Sequence, residues 1–202
     1  GAAVDTVTLL AGQTITGLLD GGADTDSLFL KSGSSDSATL GRVANFERLD
    51  VVSGSWSLAD DQSYANGASV RSGASLNVNT ALGAIVTVEG AARLSGSGSV
   101  AGLVTTGVGA VISPGNSIGT LAVTGDAALT EAVFAVEVNA DGSSDRLAID
   151  GSAAINGGTV VLDLAPGSYV VGTKATILTA EGGITGSGFS SLDAAPISLF
   201  IQ

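Results

Sequence analysis

The sequence contains no cysteine, no histidine and no methionine, and it has seven basic residues against 19 acidic ones. Without histidine or cysteine, these residues cannot form a His- or Cys-liganded metal site or a Ser-His-Asp or Cys-His nucleophile. Binding to a phosphate backbone needs clustered lysine and arginine, so the net charge of −12 argues against a nucleic acid as a partner. Polar residues interrupt every apolar run before the roughly 20 residues that a membrane-spanning helix requires.

What the sequence does contain is glycine, 30 residues of it, and 45% hydrophobic residues, enough for a buried core. Short runs alternate apolar and polar residues, as at 134–138 and 160–164, and this is the period of a β-strand. Only residues 38–49 have a pattern that a short helix could adopt. The composition therefore predicts a folded protein built mainly of short strands.

A repeat runs through the middle of the chain. A glycine followed by small or polar residues and then an aliphatic residue recurs at Gly54, Gly73, Gly90, Gly109 and Gly125, with spacings of 19, 17, 19 and 16 residues. A drifting period near 20 is typical of a solenoid whose coils are short strands joined by variable turns. Stacked coils place equivalent strands in parallel about 4.8 Å apart, with aliphatic residues inward and glycine at the corners. We therefore predict an all-β fold, a right-handed single-stranded parallel β-helix.

Beyond residue 126 the period lapses, and strand pairs around turn residues predict β-hairpins. One hairpin is expected across residues 139–145 and another across residues 165–168. This pattern divides the chain into β-helix coils at 1–125 and a hairpin-containing C-terminal cap at 126–202. An antiparallel cap would also cover the open end of the strand ladder, which is otherwise prone to edge-to-edge association.

A single coil is not expected to be stable by itself. Burial of five or six aliphatic side chains gains on the order of 10 kcal/mol, whereas ordering about 18 residues costs ~1–2 kcal/mol each. The stack therefore needs a folding seed, and we predict that the C-terminal cap supplies it. The predicted seed core consists of the apolar residues Leu121, Val123, Phe134, Val136, Val138, Leu147, Ile149, Val160, Leu162, Leu164, Ile177 and Leu178.

The segment 103–124 contains the sequence SPGNSIGTL and resembles the passenger-associated repeat of bacterial autotransporters. Residues 136–151 and 158–180 are similar to the junction, or autochaperone, segment of that family, and residues 24–28 and 45–58 are similar to coils of adhesin-type passengers. In the repeat motif we expect a β-helix corner, made by Ser113, Pro114, Gly115, Asn116, Ser117 and Gly119. The resemblance covers nearly the whole chain.

The resemblance implies a type V secretion passenger at the bacterial cell surface, exported through the periplasm and tethered to the outer membrane. Its implied partners are its own C-terminal outer-membrane β-barrel, expected outside these 202 residues, and the outer-membrane assembly machinery. A host cell surface, the extracellular matrix or a second copy are further partners that an adhesin could have.

Two motifs and one aromatic residue could have a catalytic or ligand-binding role, and each also has a structural interpretation. Residues 115–119 fit the G-x-S-x-G nucleophile elbow, but that elbow needs a histidine base and a following helix. Residues 21–29 resemble a single copy of the calcium-binding RTX nonapeptide, which leaves weak calcium binding at Asp20, Asp24 and Asp26 open. Trp56 is predicted to be a core residue rather than a sugar platform. The sequence thus predicts no catalytic residue, no metal site and no cofactor, and a protein that is not an enzyme.

These observations favour the membrane-proximal stalk and folding nucleus of an autotransporter adhesin, in which seeding from the C-terminal end drives folding and secretion. A β-helical module that binds or degrades polysaccharide is one alternative; it requires two facing carboxylates in a cleft. A self-associating surface protein that aggregates cells is the other.

Overall fold

The computed structural model describes residues 3–13, 17–33 and 36–194. Within these residues the chain forms strands and no helix. The strands are β1 (Thr6–Leu10), β2 (Leu19–Asp20), β3 (Ser27–Lys31), β4 (Ser37–Leu40), β5 (Val43–Ala44), β6 (Arg48–Val51), β7 (Ser55–Leu58), β8 (Gln62–Ser63), β9 (Ala68–Val70), β10 (Ser75–Asn77), β11 (Ala81–Glu89), β12 (Arg93–Gly96), β13 (Ser99–Thr106), β14 (Val111–Pro114), β15 (Thr120–Val123), β16 (Ala127–Thr130), β17 (Val133–Val138), β18 (Arg146–Ile149), β19 (Ala153–Asn156), β20 (Thr159–Leu164), β21 (Leu178–Ala180), β22 (Ile184–Gly188) and β23 (Ser191–Ala194).

The strands stack in parallel to form three faces. Face 1 contains β1, β3, β6, β9, the second halves of β11 and β13, and then β16, β19 and β22. Face 2 runs from β4 through β7, β10, β12, β14, β17 and β20 to β23. Face 3 contains β2, β5, β8, the first halves of β11 and β13, and then β15, β18 and β21. β11 serves two faces because its register on β13 shifts between Leu82 and Ile85. A parallel β-helix is therefore confirmed.

The core consists of columns of inward-pointing side chains, because the parallel register places like residues above one another. On face 1 Leu28 stacks on Leu49. On face 2 Leu94 stacks on Ile112, which stacks on Phe134. These residues are fully buried, whereas strands such as β11 alternate buried and exposed positions. Residues 38–49 belong to this ladder as β4, β5 and the start of β6, so the short helix that their pattern allowed does not form.

Coil length is smallest in the middle of the chain and greatest at the C-terminal end. Hydrogen bonds between equivalent positions of neighbouring coils join residues 21 apart at Asp5 and Asp26, 18 apart at Asn77 and Ser95, and 32 apart at Thr159 and Ser191. The added residues lie in the loops 139–145 and 165–177, both between face 2 and face 3. The lapse of the sequence period after residue 126 therefore reflects longer corners and not a different architecture.

The predicted C-terminal hairpins are wrong in the described residues. β17 pairs in parallel with β14 and β20, and β18 pairs in parallel with β15 and β21, so the strands on either side of the loop 139–145 lie on different faces. Only the loop itself folds back, through an antiparallel bridge between Val138 and Ser144. The division into 1–125 and 126–202 stays a prediction, and residues 195–202 of that cap lie outside the described residues.

No helix long and apolar enough to cross a membrane occurs in the described parts of the chain.

Candidate functional site

The motif corner, defined as residues 115–119, connects β14 on face 2 with β15 on face 3. Pro114 is buried at the end of β14, and Gly115 turns the chain with a φ of +85°. A Cβ atom on Gly115 would collide with Oδ1 of Asp145, so the corner requires glycine both for its backbone angle and for this close approach. Of the predicted repeat-motif residues, Gly115, Asn116, Ser117 and Gly119 lie in this corner, whereas Ser113 and Pro114 lie on β14.

Asp145, from the following coil, closes this corner. Asp145 is 2% exposed, and its Oδ1 accepts a hydrogen bond of 2.9 Å from the Gly119 N–H. Its Oδ2 accepts a second bond, of 2.8 Å, from the Glu137 N–H. Burial raises the pKa of Asp145 because the carboxylate loses water, and the two N–H donors act in the opposite direction. One buried carboxylate therefore joins the backbones of two successive coils.

Asn116 extends the motif corner in the other direction. Its Nδ2 donates to Asn79 Oδ1 at 2.5 Å, Asn79 Nδ2 donates to Asn77 Oδ1 at 2.6 Å, and Asn77 Nδ2 donates back to Asn116 Oδ1 at 2.8 Å. The three amides form a closed ring of hydrogen bonds. Asn116 is 37 and 39 residues from its partners, which is a distance of two coils. The corner therefore contacts coils on both of its sides.

The predicted seed core lies inside the C-terminal coils. Most of its residues are buried, while Leu162, Leu164, Ile177 and Leu178 are partly buried against the core. Phe134 is fully buried and stacks on Phe189 with ring centroids 5.7 Å apart. An apolar groove of about 520 Å³, lined by Val138, Leu162 and Tyr169 among others, opens beside them. The burial fits a core, and the seeding role itself stays a prediction.

The acidic turn of the RTX-like segment forms hydrogen bonds within the protein. Asp26 is fully buried, its Oδ1 accepts from the Asp5 N–H at 2.6 Å, and its own N–H donates to Glu47 Oε2 at 2.6 Å. Asp20 accepts from Asn45 Nδ2 at 2.7 Å. Among the described residues no group of three or more acidic side chains is placed to hold a metal ion. Calcium binding at Asp20, Asp24 and Asp26 therefore gains no support from this geometry.

Trp56 lies in the core column of face 2 and is 4% exposed, and its Nε1 donates to the Ser53 carbonyl at 3.2 Å. The indole ring is therefore covered by neighbouring coils and offers no exposed face on which a sugar could stack.

A charged ladder on face 1 was missed by the sequence analysis. Asp50 is 1% exposed and accepts from Arg48 Nε at 2.7 Å and from an Arg71 guanidinium nitrogen at 2.5 Å, and Arg71 also pairs with Glu89 at 2.5 Å. The spacings of 21 and 18 residues match the coil period, and this was the signal that could have found the ladder.

No family model matches the chain. Over 143 residues, 66% of its length, the chain is 33% identical to an extracellular serine protease of Serratia marcescens. The chain spans 13% of that relative's length.

This similarity contradicts the prediction that the protein is not an enzyme, because the relative is a serine protease and the comparison points toward an enzyme. The prediction was drawn from the missing histidine, which concerns these 202 residues alone. The prediction that the protein is not an enzyme is therefore wrong.

Proposed function

We propose that this chain is the stalk and folding nucleus of a secreted serine protease of the autotransporter type. The observation that carries the proposal is the similarity to an extracellular serine protease in a chain that folds as a parallel β-helix. The SPGNSIGTL motif adds support because it forms a corner tied to the coils on both sides. The histidine of a Ser-His-Asp triad would lie outside these 202 residues, and the β-helix would carry the protease domain.

The folding part of the proposal follows from the physics of stacked coils. One coil loses more conformational entropy than its burial offsets, so a coil persists only on a neighbour that is already folded. The C-terminal coils are the longest and hold the large aromatic pair of Phe134 and Phe189. Folding from this end outside the cell would prevent the chain from sliding back and would favour export.

The folding role is tested in the full-length parent protein by replacing an inward and an outward residue of the same strand. Val136 is 2% exposed, while Ala135 beside it is only half-buried and faces outward. Burying an unpaired carboxylate costs several kcal/mol, so Val136→Asp is expected to abolish surface display and leave the protein degraded. Leu162→Asp, at a partly buried position, should act in the same direction and more weakly, and Ala135→Asp is the matched control. Normal display of Val136→Asp and Leu162→Asp would refute the seeding role.

The protease part is tested separately in the culture medium. Cells that express the parent protein should release or display an activity that cleaves casein and is blocked by a serine-directed reagent. Deletion of the gene should remove that activity. If expressing and deleted cells hydrolyse casein equally, both in the medium and on the intact cells, the protein is not the protease that we propose.

The proposal places the protein at the cell surface or outside the cell, with an outer-membrane β-barrel and the assembly machinery as export partners. Adhesion to a host surface, which the resemblance implies, stays a prediction, as does self-association. Binding of the purified chain to host cells or matrix tests the first, and concentration-dependent sedimentation tests the second.

A further inference from the structure

We propose that Asp145 is the positioning residue through which the folded C-terminal coils order the coils before them. This inference deepens the proposed folding role and rests on it. The buried carboxylate accepts from the Glu137 N–H in its own coil and from the Gly119 N–H in the preceding coil. The second bond is formed only when both coils are in place.

Asp145 is held in place by hydrogen bonds within its own loop. Its backbone N–H donates to the Glu137 carbonyl at 2.9 Å, so the residue is fixed by the fold of its own loop. The loop is closed further by the bond from Asn139 N–H to the Ser143 carbonyl at 2.8 Å. The carboxylate is therefore already oriented by its own coil before the preceding coil is added.

Without Asp145 the motif corner lacks the acceptor for the Gly119 N–H. Gly119 is half-buried, and its N–H donates to the Asp145 Oδ1. A donor that is partly shielded from water costs free energy when it loses its hydrogen-bond partner. The corner therefore reaches its native shape only when the next coil supplies the carboxylate.

Asn116 links the motif corner to the coil two coils before it. Once residues 115–119 are fixed, Asn116 is held where it completes the amide ring with Asn77 and Asn79. The route thus runs from Asp145 through the motif corner to β10 and the turn that follows it. This direction, from later coils to earlier ones, is the one that a C-terminal seed requires.

The test is pulse-labelled hydrogen exchange during refolding of the 202-residue chain. In the wild type, β17 and β20 should gain protection first and the motif corner afterwards. In Asp145→Asn, which keeps one acceptor and loses the other, β17 and β20 should gain protection at the wild-type rate. Protection of residues 115–121 and 75–82 should appear about tenfold more slowly or be about tenfold weaker.

Asp141→Asn is the matched control, because Asp141 lies in the same loop and bonds only locally, to the N–H and hydroxyl of Ser143. Asn116→Ala is the second variant, since its side chain is exposed and its loss should leave the fold intact. This variant should weaken protection at residues 75–82 and leave residues 115–121 unchanged.

The outcomes separate the two proposals. If β17 and β20 gain protection last in the wild type, the C-terminal seed is refuted. If they gain it first but Asp145→Asn behaves like Asp141→Asn, the seed stands and the relay through Asp145 is overturned. Loss of all protection in Asp145→Asn, β20 included, also overturns the relay, because Asp145 would then support the whole fold. Unchanged protection at 75–82 in Asn116→Ala refutes its last step.

Discussion

Replacement of Phe134 by alanine gives the sharpest test of the C-terminal core. Phe134 is fully buried, stacks on Phe189 at 5.7 Å, and lies in the column between Ile112 and Val160. Removing a buried phenylalanine costs about 3–5 kcal/mol, which includes the cavity left behind, and the lost aromatic pair adds roughly 0.5–1.5 kcal/mol. This sum is a large part of the 5–15 kcal/mol by which proteins are usually stable.

The measurement is urea denaturation followed by circular dichroism. With a slope of about 3 kcal/mol per molar urea, a loss of about 4 kcal/mol lowers the midpoint by more than about 1 M. Val161→Ala is the control, because Val161 neighbours this column on β20 but points outward. A midpoint for Phe134→Ala within about 0.3 M of the control would show that the column is not packed as described and would remove the basis for a C-terminal core.

Three further predictions concern buried polar groups. Asp50→Asn should lower the free energy of unfolding by about 1–3 kcal/mol, measured by the urea midpoint, because it removes the charge that Arg71 faces. Burial raises the pKa of Tyr64 well above 10, so the absorbance of its phenolate should appear only when alkali unfolds the protein; Tyr64→Phe should remove this late step and leave the Gln62 amide oxygen without its hydroxyl partner. The raised pKa of Asp145 means that the folded state binds a proton more tightly than the unfolded state. The free energy of unfolding should therefore fall as pH rises from about the ordinary value of 3.8 through the raised value, and Asp145→Asn should flatten that slope.

The solenoid could be predicted because its signal is repetitive. Each glycine-containing corner followed by an aliphatic residue adds evidence, and the observed columns such as Leu94 on Ile112 follow from that spacing. The third face could not be predicted from the sequence because some of its strands contain only two residues, as in β2 and β8. Such strands carry too few residues to show alternation.

The hairpins were predicted wrongly because alternation and turn residues are the same in a hairpin and in a coil with a long corner. The loop 139–145 does fold back on itself, but its flanking strands pair with residues one coil away. Local sequence does not specify that partner. The register of the neighbouring coils decides it, and that register becomes visible only when all coils are stacked.

The candidate site was predictable in part. The SPGNSIGTL motif predicted a corner, and in the structure Gly115 turns the chain there with a positive φ. Asp145 was assigned to a turn, because an aspartate in a polar run gives no sign that its side chain points inward. Asn116 was part of the motif, but its contact with Asn77 and Asn79 spans two coils and is invisible to any local pattern.

The growth of coil length toward the C-terminal end has a consequence for size. The rise from coil to coil is fixed by the strand spacing of about 4.8 Å, whatever number of residues a coil contains. Residues added at the corner between faces 2 and 3 therefore widen the molecule on one ridge and leave its height unchanged. A guest peptide inserted at residues 165–177 should be carried sideways from that ridge, and only a whole additional coil should lift whatever the stack supports farther from its base.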